Sequence, residues 1–236
     1  MRKVISYSLW GKSKLYCQGA IENVKLSAEH YPGWINRFYI AADCPATNHL
    51  RGLPNVELQI MPPMEGVDRT QENHVWHNNP SNNAMMWRFS AIDDCSADYV
   101  IFRDTDSRLN PRGAAAVEEW IKSGKYAHRM HECKEHWNAL MMGGMWGIKG
   151  GKLIRNHTIK ECYEAYVDPT NLFGFYRLGE PTIFVDLYFI KDTIWPIVKN
   201  DCMGHGYGHP LNFPPVRYDG KVGDVANEEW RKEDFK

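Results

Sequence analysis

Residues 3–29, KVISYSLWGKSKLYCQGAIENVKLSAE, carry the pattern that decides the fold. Lys3 to Ser8 predict a short strand, and the chain then turns through residues 9–11 into a helix from about Tyr16 to Glu29. Apolar residues recur at helical spacing in this helix, at Ala20, Ile21, Val24 and Ala28. Further strands are predicted at residues 37–40 and 56–60. Because a strand, a helix and then more strands are typical of a parallel sheet, we expect an α/β fold with a mostly parallel central sheet flanked by helices.

The remainder of the chain continues this alternation. Residues 61–83 contain prolines and asparagines and predict a long surface loop of the kind that forms lids or binding segments. The last thirty or so residues predict irregular structure. The other predicted elements are a helix that resumes near Ala84, a buried strand at 99–102, a helix at 111–123, a strand at 126–130, a helix near 152–166 and a final helix at about 181–194.

Length and composition restrict the class of protein. The 236 residues suit one large α/β domain, and 43% hydrophobic with 24% charged residues is the composition of a globular protein. A formal net charge of −1 predicts no general attraction to nucleic acid or anionic membrane. Six cysteines without a C-x-x-C pair, no signal peptide and no apolar run long enough to span a bilayer predict reduced thiols and a cytoplasmic location.

Two carboxylates follow the buried strand at 99–102. Asp104 and Asp106 stand two positions apart, so in extended backbone both side chains project to the same side. Ligands of open α/β sheets bind beyond the carboxyl ends of the strands. Two acids there suit a hard divalent cation that bridges a diphosphate and neutralises the charge of a leaving nucleoside diphosphate. The alternative is a solvated ion-pair network in which Asp104 pairs with Arg103 or Arg108.

The stretch YVIFRDTDSR at residues 99–108, with MWRF at 86–89 and GGMWG at 143–147, resembles a family of small glycosyltransferases. These enzymes occur in large DNA viruses of algae, in phages and in bacteria, and they have the GT-A fold, a single Rossmann-like domain with a D-x-D metal site. The resemblance extends from the first strand to about His209. It implies a nucleotide-sugar-binding half at about 1–110 and an acceptor and catalytic half at about 111–236.

The resemblance also implies roles for individual residues. Asp104 and Asp106 would bind Mn²⁺ or Mg²⁺, with His205 completing the metal site. Arg88 would act on the donor sugar or the diphosphate, and Gly143 and Gly144 would let the backbone approach the donor sugar. The implied contacts to the nucleotide and donor also include Ser8, Leu9, Trp10, Gly11 and Thr105. The family pattern has an Asp-Gln pair and a His-Asp pair where this chain has Asp186-Leu187 and His205-Gly206, which leaves the acceptor side open.

Asp186 lies in a predicted helix that is apolar nearly all round. Such a helix is buried, so this carboxylate needs a partner. It would serve as a base, a nucleophile or a hydroxyl anchor at the sugar, unless it forms a structural ion pair with a core arginine or caps a backbone group. The acceptor cleft is predicted to include His131, His136 and Trp137. Glu180 is either a further acceptor contact or an acid in the first turn of the last helix.

Taken together, these features predict a metal-dependent glycosyltransferase. The resemblance implies a UDP-linked donor and retention of configuration, with an acceptor hydroxyl on a glycan, a lipid-linked saccharide or a modified DNA base. One alternative is a phosphatase or phosphotransferase of the haloacid-dehalogenase type with Asp104 as nucleophile, although such domains normally begin with the strand that carries the aspartate. The other alternative is a module that binds sugar without turnover.

A structural zinc held by His128, His131, Cys133 and His136 is not expected, because alternation along a strand would separate His128 from His131.

Overall fold

One sheet of seven strands forms the centre of the protein. The computed structural model describes residues 1–64, 80–136, 139–151, 153–168, 170–171, 184–217, 220–226, 229–230 and 233–235. The strands are β1 (Lys3–Leu9), β2 (Trp34–Ala41), β3 (Val56–Met61), β4 (Tyr99–Phe102), β5 (Ala127–His131), β6 (Trp146–Lys149) and β7 (Cys202–Gly206).

Helices connect the strands and cover the sheet. They are α1 (Lys14–His30), α2 (Ala46–Leu50), α3 (Pro80–Met86) with a 3₁₀ continuation over Trp87–Asp93, α4 (Pro111–Ser123), α5 (Ile159–Tyr166), α6 (Val185–Phe189) and α7 (Trp195–Val198). A π-helical segment, Ile190–Ile194, joins α6 to α7, and a 3₁₀ turn, Lys199–Asp201, leads into β7. No helix in the described part of the chain is both long and apolar enough to cross a membrane.

The strand order across the sheet is β3-β2-β1-β4-β6-β5-β7. Every neighbouring pair is parallel except the two pairs that include β6, which runs antiparallel to β4 and to β5. The chain builds β1, β2 and β3 toward one edge and then returns to place β4 on the other side of β1. The predicted α/β fold with a mostly parallel sheet flanked by helices is confirmed.

The two central strands owe their position to their composition. Strands that are covered on both faces are apolar nearly throughout, rather than alternating. Both β1 and β4 fit this rule, since their buried apolar residues are Val4, Ile5, Tyr7, Leu9, Val100, Ile101 and Phe102. The ring of Tyr7 stacks on Phe38 of β2 with centroids 4.7 Å apart, which joins adjacent strands on one face of the sheet.

Helix α4 has the boundaries that the sequence predicts. The Asn110 side chain accepts a hydrogen bond from the Gly113 N–H at 2.8 Å and so caps the first turn, and Pro111 follows at the first helical position. At the other end, Gly124 adopts φ +69, a left-handed conformation that glycine adopts without steric cost. The cap and the terminator therefore set both ends of α4.

Several predicted boundaries differ from those in the structure. Helix α5 begins at Ile159 rather than near residue 152, because Thr158 and Glu161 form a reciprocal capping box there. Helix α3 begins at Pro80, inside the predicted loop 61–83, whose residues 65–79 lie outside the described part of the chain. The predicted last helix is described from residue 185 and continues beyond residue 194 into α7.

The sequence patterns did not reveal β6 and β7. Each is short and rich in glycine or bounded by it, so neither shows the alternation that identifies a strand. β7 lies in the C-terminal part that was predicted to be irregular, and it becomes a strand because it pairs in parallel with β5 over five residues. That pairing is a tertiary contact between distant segments.

Candidate functional site

The carboxyl ends of β1 and β4 form the crevice in which this fold class binds ligands. The strand order reverses between these two neighbours, and ligands of open α/β sheets occupy the crevice at such a switch point. Ser6 of β1 pairs with Phe102 of β4, the last residue of that strand, so Asp104 lies just beyond the carboxyl end of β4 and beside the last residues of β1. The predicted D-x-D segment therefore stands at the switch point.

Arg88 joins two carboxylates that are distant in sequence. Its Nη1 donates a short hydrogen bond to Asp104 Oδ1, and its Nη2 donates to Asp186 Oδ2 at 2.8 Å. Arg88 is only 5% exposed, yet the neighbouring carboxylates raise its pKa, although burial alone would lower it. The guanidinium is therefore a permanent cation fixed between Asp104 and Asp186.

The backbone of Arg88 is held by two serines of β1. The Ser6 hydroxyl donates to the Arg88 carbonyl at 2.7 Å, and the Arg88 N–H donates to the Ser8 hydroxyl at 2.9 Å. Both serines are buried, so these bonds form away from competing water. β1 thus positions Arg88, the arginine that follows α3. Ser8, which was predicted to contact the donor, holds the backbone of Arg88 instead.

Asp186 is a buried carboxylate at the start of α6. Its Oδ1 accepts the Leu187 N–H at 2.9 Å and its Oδ2 accepts Arg88. Burial raises the pKa of Asp186, with Asp104 adding to the rise, while Arg88 and the Leu187 N–H lower the pKa. The ion pair with a core arginine, one of the alternatives that the sequence leaves open for Asp186, is present in the structure.

Gly143 and Gly144 pack directly against the two carboxylates. A Cβ atom added to Gly143 would lie 2.2 Å from Asp186 Oδ2, and one added to Gly144 would lie 2.0 Å from Asp104 Oδ2. A side chain at either position would have to displace the neighbouring carboxylate, so glycine lets the backbone approach the acids. The structure thus brings together five residues to which the resemblance assigns separate roles: Arg88, Asp104, Gly143, Gly144 and Asp186.

Asn23 of α1 is a site residue that the sequence analysis did not identify. Its Nδ2 donates to the Ser107 carbonyl at 2.9 Å and its Oδ1 accepts the Leu109 N–H at 3.0 Å, so one fully buried side chain holds the loop after Asp104. Helix α1 approaches the same loop closely at Gly19, where a Cβ would lie 2.0 Å from the Thr105 carbonyl oxygen. The sequence does contain a signal for this role. Asn23 is a polar residue on the side of the helix that Ala20 and Val24 make apolar, so its side chain is buried and needs hydrogen-bond partners.

The sequence predicts that Asp104 and Asp106 bind a divalent cation, and carboxylate oxygens are ligands that Mg²⁺ prefers. The Asp104 side chain is 46% exposed and has one oxygen on Arg88, and Asp106 is partly buried with its carbonyl accepting the Ala226 N–H at 2.8 Å. Within the described ranges, no group of three or more His, Cys, Asp or Glu side chains is arranged to hold a metal. One or two carboxylates suffice for Mg²⁺ where substrate phosphates and waters supply the other ligands.

His205 lies away from the D-x-D segment. It belongs to β7, and both β6 and β5 separate β7 from β4, which at about 4.8 Å per strand amounts to about 14 Å. Its Nδ1 shares a 2.8 Å hydrogen bond with His128 Nε2, and its Nε2 lies 3.4 Å from Glu119 Oε2. The structure therefore does not bring His205 to Asp104 and Asp106, and the sheet order is the physical reason.

The predicted acceptor residues are only partly described. His131 is fully buried, and its Nδ1 shares a 2.7 Å hydrogen bond with His209 Nε2. His136 Nδ1 accepts the Glu132 N–H at 3.2 Å. Trp137 and Glu180 lie outside the described residues. His131 is thus committed to a histidine pair, and it points to the opposite face of β5 from His128, as strand alternation predicts.

The remaining residues predicted near the nucleotide are core or backbone elements. Leu9 is fully buried, and Trp10 is 2% exposed with its ring edge-on to Trp87 at 6.2 Å. Thr105 is buried, and its carbonyl accepts Arg108 Nη1 at 3.1 Å. Gly11, at φ +72, forms the turn out of β1. Leu9, Trp10 and Thr105 therefore do not present exposed side chains to a ligand.

Comparisons with known proteins add no assignment. No family model matches the chain, and no curated protein matches it significantly.

Proposed function

We propose that the protein is a metal-dependent glycosyltransferase that moves a sugar from a nucleoside-diphosphate donor to an acceptor hydroxyl. The observation that carries this proposal is the Asp104–Arg88–Asp186 cluster at the switch point of a mostly parallel sheet. A nucleotide in that crevice would lie over the carboxyl ends of β1 and β4. The resemblance of residues 99–108 to small GT-A glycosyltransferases supports the same function.

In this proposal, Asp104 and Asp106 hold Mn²⁺ or Mg²⁺ beside the diphosphate. When bound, the cation supplies electrostatic stabilisation of the leaving phosphate oxygens. Arg88 adds a fixed positive charge at the same place, preorganised by Ser6 and Ser8, so no reorganisation is needed as negative charge develops. Asp104 would then divide its two oxygens between Arg88 and the cation.

Asp186 is the residue we assign to the sugar. It is held by Arg88 and the Leu187 N–H, and its burial keeps water from screening its charge. A carboxylate in that position stabilises positive charge that develops at the anomeric carbon, or attacks that carbon as a nucleophile. Direct participation of Asp186 would accompany retention of configuration, which NMR of the product anomer would reveal.

The test is a thermal-shift screen of nucleotides and nucleotide sugars with and without Mn²⁺. A donor that binds the folded protein raises the melting temperature by mass action, and we expect the rise to require Mn²⁺. Asp104→Asn should abolish the Mn²⁺-dependent rise. Asp201→Asn, which removes an exposed carboxylate just before β7 at the opposite edge of the sheet, should keep the rise.

The rival functions give different outcomes in the same samples. A phosphatase that uses Asp104 would release inorganic phosphate from small phosphomonoesters with Mg²⁺ and show no nucleotide-dependent shift. A binding module would show the shift with a sugar alone and would release no nucleoside diphosphate from any donor. Either result would replace the glycosyltransferase proposal.

A further inference from the structure

Two short segments late in the chain contact the loops that leave the switch point. The first, residues 225–226, lies against the D-x-D loop, where the Ala226 N–H donates to the Asp106 carbonyl at 2.8 Å. The second, residues 233–235, lies against residues 12–14, which follow β1. We call these two segments the strap. Because β1 and β4 meet at the switch point, the strap contacts both loops at the edge of the crevice.

The second segment of the strap is held by backbone hydrogen bonds and by two ion pairs. The Lys14 N–H donates to the Glu233 carbonyl at 2.6 Å. The Phe235 N–H donates to the Lys12 carbonyl at 2.7 Å. The ion pairs join Lys14 to Glu233 at 2.7 Å and Lys12 to Asp234 at 2.9 Å. The acids of the strap therefore neutralise two lysines that stand just beyond the carboxyl end of β1.

These ion pairs are largely exposed, which makes them weak. The side chains of Lys12 and Asp234 are 72% and 63% exposed, and that of Glu233 is 51% exposed. Exposed pairs contribute little to stability, and salt screens them. The one apolar side chain of this segment is Phe235, whose partly buried ring lies edge-on to His49 at 5.0 Å. A segment that is attached in this way opens at a low cost in free energy.

We propose that the strap is a releasable cover of the crevice, which a nucleoside diphosphate displaces by competing for Lys12 and Lys14. In the free protein, Glu233 and Asp234 pair with these lysines. Release returns two positive charges to the edge of the crevice, and these attract the phosphate groups of the ligand. Residues 225–226 stay attached and act as the hinge. Displacement by a nucleotide rests on the proposed function, whereas release of the strap does not.

Hydrogen exchange of the full chain without nucleotide, followed by NMR, tests the release. The double variant Glu233→Gln with Asp234→Asn removes both ion pairs at constant side-chain size, so the amides of Lys14 and Phe235 should exchange about fivefold faster. Raising sodium chloride from about 0.1 M to about 1 M should accelerate these amides in the wild type but not in the double variant. The Ala226 amide, at the hinge, is the internal reference and should respond to neither change. Equal exchange in the wild type and the double variant would overturn the proposal.

Calorimetric titration with UDP, and in parallel with GDP, in the presence of Mn²⁺ tests the displacement. A cover that is mostly closed reduces the apparent affinity by the fraction of open molecules, so the double variant should bind the nucleotide about fivefold more tightly than the wild type. Glu164→Gln, which removes an exposed pair with Lys160 on α5, should bind it like the wild type.

The outcomes of this titration separate the strap from the proposed function. Unchanged or weaker nucleotide binding in the double variant would overturn the displacement and leave the transferase proposal intact, because the second segment would then be a wall of the site rather than its cover. Absence of binding in both the wild type and the double variant would overturn the displacement and the transferase proposal together.

Discussion

Arg88 Nη2 donates to Asp186 Oδ2 at 2.8 Å, and this contact joins residues 98 positions apart in the chain. Asp186 is buried in α6, while Arg88 follows α3 and is held by β1. The pair therefore fastens the C-terminal helices to the edge of the sheet where Asp104 emerges. Stability and the candidate site depend on the same three side chains.

Arg88→Met should destabilise the protein strongly. Removing the cation leaves Asp186 buried and unpaired, and breaking a buried pair typically costs about 3–5 kcal/mol. Urea unfolding of the variant and of the wild type measures the loss. Lys160→Met is the control, because it breaks an exposed pair with Glu164 that is worth at most about 0.5 kcal/mol.

The double variant Arg88→Met with Asp186→Leu separates stability from function. Apolar replacement of both members of a buried pair is often neutral, so much of the lost stability should return. Donor binding and turnover should not return. Full activity in the double variant would contradict the roles assigned to both residues.

Gly144→Ala should weaken metal and donor binding. The new Cβ would lie 2.0 Å from Asp104 Oδ2 and must push the carboxylate aside. We expect Mn²⁺ affinity, followed by electron paramagnetic resonance titration, to fall at least about tenfold, or about 1.4 kcal/mol. Gly52→Ala is the control: Gly52 has φ +82 with open space around it, so alanine should cost stability of about 1 kcal/mol without changing Mn²⁺ affinity.

Asn23→Leu should loosen the loop that carries Asp104 and Asp106. The substitution leaves the Ser107 carbonyl and the Leu109 N–H without their partner, at about 1–3 kcal/mol each. Urea unfolding should show this loss, and Mn²⁺ titration should show weaker binding. Glu29→Leu, on an exposed position of α1, should change neither quantity by more than about 0.5 kcal/mol. Unchanged Mn²⁺ affinity in Asn23→Leu would show that Asn23 serves stability alone.

The buried histidines should make the protein sensitive to acid. Burial lowers the pKa of His131 to about 3, and that of its partner His209 is lowered to about 4. Below about pH 6.5 the unfolded chain takes up protons at these rings and the folded chain does not, so stability is complete above that pH and is lost as the pH falls. His131 alone should account for about 1–2 kcal/mol between pH 7 and pH 5, measured by urea unfolding at both values.

His131→Asn should reduce this pH dependence. Asparagine does not titrate, so the contribution of His131 disappears, while burial, Arg129 and His205 still lower the pKa of His209. His157→Asn, at an exposed histidine, should keep the full dependence. If the unfolding free energy of His131→Asn fell with pH as steeply as that of the wild type, groups other than His131 would be responsible for the acid sensitivity.

The part of the fold that depends on local signals was predictable. The helical spacing of residues 16–29, the cap at Asn110 with its terminator at Gly124, and the apolar run 99–102 each act within a few residues. β6 and β7 were not predictable, because short glycine-containing segments become strands only when a partner strand is present. The sheet order that separates His205 from Asp104 depends on those two strands.

The sequence by itself determined that two aspartates leave a buried strand of an α/β domain, since strand burial and side-chain alternation are local consequences of composition. Only the tertiary structure decided which charges meet. It brought Arg88 between Asp104 and Asp186 and placed Asn23 under the loop that follows Asp104. These contacts join segments far apart in the chain. They depend on how the helices pack on the sheet, and a local sequence pattern contains no information about that packing.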